Sequence, residues 1–381
     1  MVVTFPNMGN VAIAAKTLCQ GLALPYVMPE TNNSKTLAVG SYYAPEEICL
    51  PFKLILGNFI LAARQGADTM WITGSCGPCR FGEYCELAMR TLKKLGYRTD
   101  FVVADLSSDV GVKEFIRRIG TVAAASPVHP VEKLRALRLA YQVVELCDRL
   151  DAKAYERAGY EVHKGECRRL LHEYKTKVRK TESPEETMEV LQDYGRRLDA
   201  VPADKSKNPL NVSIIGEIFT IIDPFSNLYI EEKLMGYGVS SKRMLSPSWW
   251  VKNMIGKPFR LGSRDVYKAS DPYLKYSVGG HGKECVGEAA LAKAQGMDGA
   301  IQVFPLGCMP EVVAKSILPV IQEDKGIPIM TLIVDEVTGE AGYITRIEAF
   351  LDLLKGRRNQ NQKASHPRAA LNMRQFPSKG V

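Results

Sequence analysis

Three of the chain's nine cysteines fall in one short stretch, GSCGPCRFGEYCE, from Gly74 to Glu86, and its centre is CGPC. That centre, Cys76 to Cys79, admits three chemistries. As a dithiol ahead of a helix it would have lowered thiol pKa values and a reversible disulfide. Against this, Ser75 stands where thioredoxin-like motifs carry an aromatic residue. As half of a structural zinc site it would need a second CxxC, and the chain has none. As part of an iron–sulfur cradle it would need thiolates from other loops.

Other cysteines share the setting that the third chemistry needs. Cys76 and Cys79 follow TMWIT, which reads as a buried strand, and precede a helix expected over Gly82–Leu95. Cys308 follows the strand-like AIQVF and comes just before Pro310–Glu311, a helix-opening pair. Cys49, in PEEICLPFK, is expected within the opening turns of a helix over Pro45–Gln65. In open α/β sheets, ligands collect at the carboxyl ends of strands, where loops lead into helix N-termini. Those N-termini favour thiolate over thiol. Gly74, Gly77 and Gly307 would let backbone approach a bulky inorganic group, and Arg80 would offset its negative charge. Cys285, in GGHGKECVGE, is a candidate extra ligand. Cys19, Cys147 and Cys167 are expected as small packing residues, and Cys85 as a helix residue facing away from the loop.

Neighbouring polar residues have two readings each. Gly280 and His281, in GGHG, would donate to a cluster sulfide or to substrate, or form a hydrogen-bonded turn. Glu47 and Lys53 would pair across one helical turn or line a cleft. Asp335, beside Glu336 at a strand end, would handle a proton or hold a turn.

The elements that must position these groups alternate strand and helix. Val2–Phe5, Thr69–Thr73 and Phe101–Ala104 read as strands, with helices over about 11–20, 45–65 and 82–95. From Pro130 to Asp199 the chain is dense in charge, and Leu134, Leu137, Tyr141, Val144 and Cys147 recur at helical spacing. SPEE at Ser183–Glu186 reads as a helix start, with Ser at the N-cap and Pro at N1. Strands follow at Asn211–Ile215, Ala300–Phe304 and Ile329–Val334, and the last helix is expected over Tyr343–Leu354. The class is α/β, with two Rossmann-like parallel-sheet domains and a helical insert between them. The expected bounds are 1–128, 129–205 for the insert, 206–358, and a basic tail over 359–381.

Composition bounds the partners. The formal net charge is +8, but from Lys355 onward there are seven Lys or Arg and no acid, which leaves about +1 elsewhere. The charge therefore belongs to a solvated tail, and a nucleic-acid partner is not expected. No apolar run spans the roughly 20 residues a bilayer needs, since Leu54–Ala63 is broken by Gly57 and Asn58. The start, MVVTFPNMGN, has no basic segment of the secretory kind, and the odd cysteine count suits a reducing cytoplasm.

Taken in order, PEEICLPFK, GSCGPCRFGEY, GGHG, FPLGCMPE and DEVTGEAGYITRIEAFLDLL resemble the 2-hydroxyacyl-CoA dehydratase family. The nearest branch is that related to activators of CoA-substrate-specific enzymes, and the likeness runs over about 2–358. The resemblance implies two Rossmann-like domains sharing an iron–sulfur cluster, [4Fe–4S] or double-cubane, with Cys49, Cys76, Cys79 and Cys308 as ligands. It implies an ATP-hydrolysing activator of the actin/Hsp70-like kinase superfamily as electron donor, and a second copy or a related subunit as partner. In that family the electron forms a ketyl radical on a 2-hydroxyacyl-CoA, which then loses water, while double-cubane relatives reduce small molecules. Two departures stand out. Typical dehydratase subunits offer three cysteines, and here the matching blocks hold four. The chain also has no GxxxxGK[ST] loop, so ATP hydrolysis would belong to the partner. The rivals from other classes are a thiol–disulfide oxidoreductase and a non-catalytic metal-binding accessory subunit.

Overall fold

The computed structural model describes residues 1–74, 79–104, 117, 120–256 and 263–365. Cys76 lies outside them. The first α/β half runs β1 (Val3–Thr4), α1 (Asn10–Gly21), α2 (Ser34–Tyr43), α3 (Leu50–Ala63), β2 (Thr69–Thr73), a 3-10 turn (Arg80–Glu83), α4 (Tyr84–Lys94) and β3 (Asp100–Ala104). Its strands pair in parallel in the order β1-β2-β3. Three helices follow: α5 (Pro130–Arg157), α6 (Glu166–Lys180) and α7 (Pro184–Ala200). The second half runs β4 (Asn211–Gly216), α8 (Ile218–Ile222), α9 (Ile230–Gly236), β5 (Ser240–Arg243), α10 (Pro247–Gly256), α11 (Arg264–Ser270), α12 (Gly282–Ala292), β6 (Gly299–Pro305), α13 (Met309–Lys325) and β7 (Ile329–Val334). Its parallel sheet has the order β5-β4-β6-β7. The fold is thus α/β, with two Rossmann-like parallel sheets and a helical insert between them. Met1–Thr338 forms one compact unit, and Gly339–Val381 a second that carries α14 (Glu340–Ser365).

The two halves share one strand plan. After α1 the chain returns beside β1, where Val3 bridges Tyr26 in parallel. Counting that bridge, both halves place their first strand between the second and third segments to pair. A reversal of this kind opens a crevice at the carboxyl ends of the two central strands. In the second half those ends lead to Glu217 and Cys308. In the first, the end of β2 leads to Cys79.

Helix α3 is buried on nearly every face from Leu50 to Ile60, as a predominantly apolar helix in a core must be, with Lys53 and Asn58 its buried polar residues. Helix α2, which the sequence pattern did not reveal, lies across it at two glycines. A Cβ on Gly40 would stand 1.6 Å from the Lys53 carbonyl oxygen, and one on Gly57 2.1 Å from that of Thr36. Among the described residues no helix is long and apolar enough to cross a membrane. The insert has its own core, built on Val143, Cys147, Leu150, Leu170, Tyr174, Leu191 and Leu198. The face expected from Leu134 and Leu137 is corrected. Both are exposed; Val144 and Cys147 are buried as expected, together with Ala136, Ala140 and Val143. Ser183 caps α7 as expected, its hydroxyl accepting from Glu186 N at 3.1 Å.

Candidate functional site

Helices that cross over a parallel sheet run against its strands, so their N-termini gather at the strands' carboxyl edge. Three of the four expected cysteines stand there as N-caps: Cys49 of α3, Cys79 of the 3-10 turn before α4, and Cys308 of α13. The start of α3 corrects the expected Pro45. Cys49 is extended at ψ 150° as the N-cap, and Pro51 stands in the first turn, where its missing N–H forfeits no intrahelical bond, so the helix begins at Leu50. Pro310 sits in the same way behind Cys308.

Arg80 ties the three loops together. Its guanidinium donates to the Glu47 carbonyl at 3.2 Å, two residues before Cys49, and to the Gly307 carbonyl at 2.7 Å, one residue before Cys308. Arg80 itself follows Cys79. A single side chain therefore sets the spacing of thiols from both halves. Gly307 makes this possible, because at φ +77° a Cβ there would meet the Arg80 guanidinium at 3.0 Å.

The sulfurs are largely shut from water. Cys49 and Cys308 are each 8% exposed, and Cys79 is partly buried. Burial raises the Cys49 thiol; the Tyr84 hydroxyl and Arg80 lower it, while Glu217 and Cys79 raise it further. Burial also drives the Cys308 thiol far up, and the charges of Glu217, Glu311 and Cys79 add to this. Cys79 and Glu217 thus act on thiols from both halves. Two thiols held this high are stored as neutral groups, and a bound cation is what would release their protons.

The residues fit an iron–sulfur group on donor chemistry. Thiolates at helix N-caps are its ligands. The loop Gly279–Gly282 brings bare backbone to the site: a Cβ on Gly280 would lie 3.8 Å from Cys79 Sγ and 3.0 Å from Pro310 Cγ. Among the described residues no three His, Cys, Asp or Glu are arranged to share one metal ion. Zinc's Zn–S distance of about 2.3 Å demands such proximity. A polynuclear cluster does not, since each thiolate bonds a different iron.

The remaining expected residues fall in varied places. His281 caps α12 without a side-chain bond to it, and its ring centroid is 6.1 Å from that of Trp249. Cys285 is fully buried in an apolar cluster with Val286, Ala289, Ala314 and Leu318, where Gln302 Nε2 approaches its sulfur at 3.7 Å. The Glu47–Lys53 pairing is corrected. With α3 starting at Leu50, Glu47 lies outside the helix, and Lys53 pairs instead with Glu336 and donates to the Glu46 carbonyl at 3.0 Å. Asp335 holds a turn, accepting from Val337 N at 3.0 Å and from the Thr338 hydroxyl at 2.6 Å.

Two residues at the site escaped the sequence reading. Tyr84, the first residue of α4 and 1% exposed, meets the Cys49 sulfur with its hydroxyl. Glu217 follows β4 through Gly216, which at φ +130° brings its Cα side to the Val303 backbone. The Glu217 carboxylate caps α8, accepting from Phe219 N at 2.9 Å and Thr220 N at 2.8 Å. The signal for Glu217 was in the sequence: a glycine and an acid directly after an apolar strand and before an apolar run. No family model matches the chain, and no curated protein matches it.

Proposed function

We propose that the chain is an iron–sulfur protein of the 2-hydroxyacyl-CoA dehydratase type, working in the cytoplasm. It receives low-potential electrons from an ATP-hydrolysing activator and either uses them in reduction or dehydration or passes them on. The observation that carries this is Arg80, next to Cys79, donating to the backbone of the loops that hold Cys49 and Cys308. When bound, the cluster supplies one-electron chemistry. The chain's own residues bury the ligand sulfurs, shape the backbone around them and place the Arg80 charge beside them. Cys76, three residues before Cys79 in the sequence, is the fourth ligand in this proposal.

The dithiol alternative gives no role to Cys49 or Cys308, nor to the guanidinium that unites their loops. Anaerobic purification, with iron and sulfide analysis, tests the proposal. Brown protein with broad absorbance near about 400 nm and about four irons per chain is the expected result. Colourless protein that takes up no iron and sulfide on anaerobic reconstitution, yet cycles a Cys76–Cys79 disulfide, contradicts it.

A further inference from the structure

Tyr84 stands in an aromatic pocket beside Cys49. Its ring is wedged between Phe52 of α3, with centroids 5.0 Å apart, and Phe81 of the 3-10 turn, at 4.8 Å. The ring is 1% exposed. Packing on both sides leaves the hydroxyl one direction, and in that direction lies the Cys49 sulfur. Cys49 in turn makes no side-chain bond to the helix it caps. The sulfur therefore has the Tyr84 hydroxyl delivered to it from a different element.

A phenol is a donor, and a ligating thiolate sulfur accepts. Hydrogen bonds to cluster sulfurs favour the more negative, reduced state and so raise the reduction potential. We propose that Tyr84 is a positioning residue that fixes the Cys49 sulfur and sets the reduction potential of the metal centre through its O–H donor. This rests on the function proposed above. It adds what the ligand set alone does not: a device by which the aromatic pocket of α3 and α4 decides how strong a reductant the protein can accept electrons from.

The test compares midpoint potentials of the anaerobically loaded protein, read by visible absorbance during redox titration, for wild type and Tyr84→Phe. Phenylalanine keeps the ring and its contacts and removes only the donor. The expected change is about a tenfold loss in the ratio of reduced to oxidised centre at fixed potential, or about 59 mV more negative for one electron. Iron content should be unchanged. In a second preparation 3-fluorotyrosine replaces tyrosine at position 84, strengthening the donor while preserving the shape, and the potential should move upward. A role in packing alone predicts the same potential in all three proteins, and that result overturns the inference while leaving the cluster intact. Wild-type protein that takes up no cluster overturns the underlying function instead, and the inference with it.

Discussion

Glu288 sits on α12 with 4% of its surface exposed, and neither carboxylate oxygen has a hydrogen-bond partner. Burial pushes its pKa well up, and the charges of Glu284 and Glu311 push it further. Glu311, held near 7 by burial, is its companion on α13. A carboxyl raised in this way binds its proton more tightly folded than unfolded. Its stabilising contribution is full below about pH 4.5, the unfolded value, and is lost as pH climbs through the folded one. Replacing Glu288 by Met removes a buried group without partners while keeping most of its volume. Urea unfolding of the metal-free protein at two pH values should show a gain of about 1–3 kcal/mol that grows as pH rises above about 4.5. A loss at both pH values would show that the carboxyl is satisfied in a way the fold does not reveal. Residue by residue, the cysteines were legible because the chemistry of thiols restricts where they are useful. Tyr84 and Glu217 were not, since a tyrosine at a helix start and an acid after a strand are common, and only the fold brings them to Cys49 and Cys308.

At the scale of elements, local signals located most strands and failed where tertiary packing decides. Thr69–Thr73 and Ile329–Val334 form strands over the expected residues because short apolar runs bounded by turns have few alternatives. Strand β5, with the sequence SSKR, carries no such signature and is a strand only because β4 offers it an edge. Helix α2 was missed for a related reason: its sequence, SKTLAVGSYY, has a weak apolar face. What holds it is Asn33 at its N-cap and the glycine contact with α3. That contact yields a sharp expectation. Gly40→Ala forces a Cβ into the Lys53 carbonyl and should cost about 3 kcal/mol or more, read as a lower urea midpoint at unchanged m-value. Gly236→Ala, at a helical position with open space around the added Cβ and no positive φ, should cost far less. Equal losses would mean that α2 does not press on α3 as described.

Across the whole molecule, one buried ionic network joins what the sequence presents as separate parts. Asp151 of α5 is 1% exposed. It accepts from Asn10 of α1 at 3.0 Å, pairs with Lys175 of α6 at 3.1 Å and with Arg243 of β5 at 3.5 Å, and also meets the Tyr174 hydroxyl. Both α/β halves and the insert therefore depend on a single carboxylate. Asp151→Ala removes one of the two carboxylates that the buried Arg243 pairs with, the other being Glu231 at 2.8 Å, and should cost about 3–5 kcal/mol in chemical unfolding. A loss below about 1 kcal/mol would show that the halves hold together without it. No local pattern announced this network, because each member is an ordinary charge on a helix or strand until the chain has folded. The same long-range assembly links the loops of Cys49, Cys79 and Cys308 through Arg80, so the central proposal concerns convergence of their thiols. Its most direct measurement is the EPR spectrum of the reduced, anaerobically loaded protein, recorded with iron content for wild type, Cys49→Ser, Cys79→Ser and Cys308→Ser. One shared centre predicts that each substitution alters or abolishes the same signal and lowers iron. A wild-type signal and full iron content in Cys49→Ser or Cys308→Ser would contradict it.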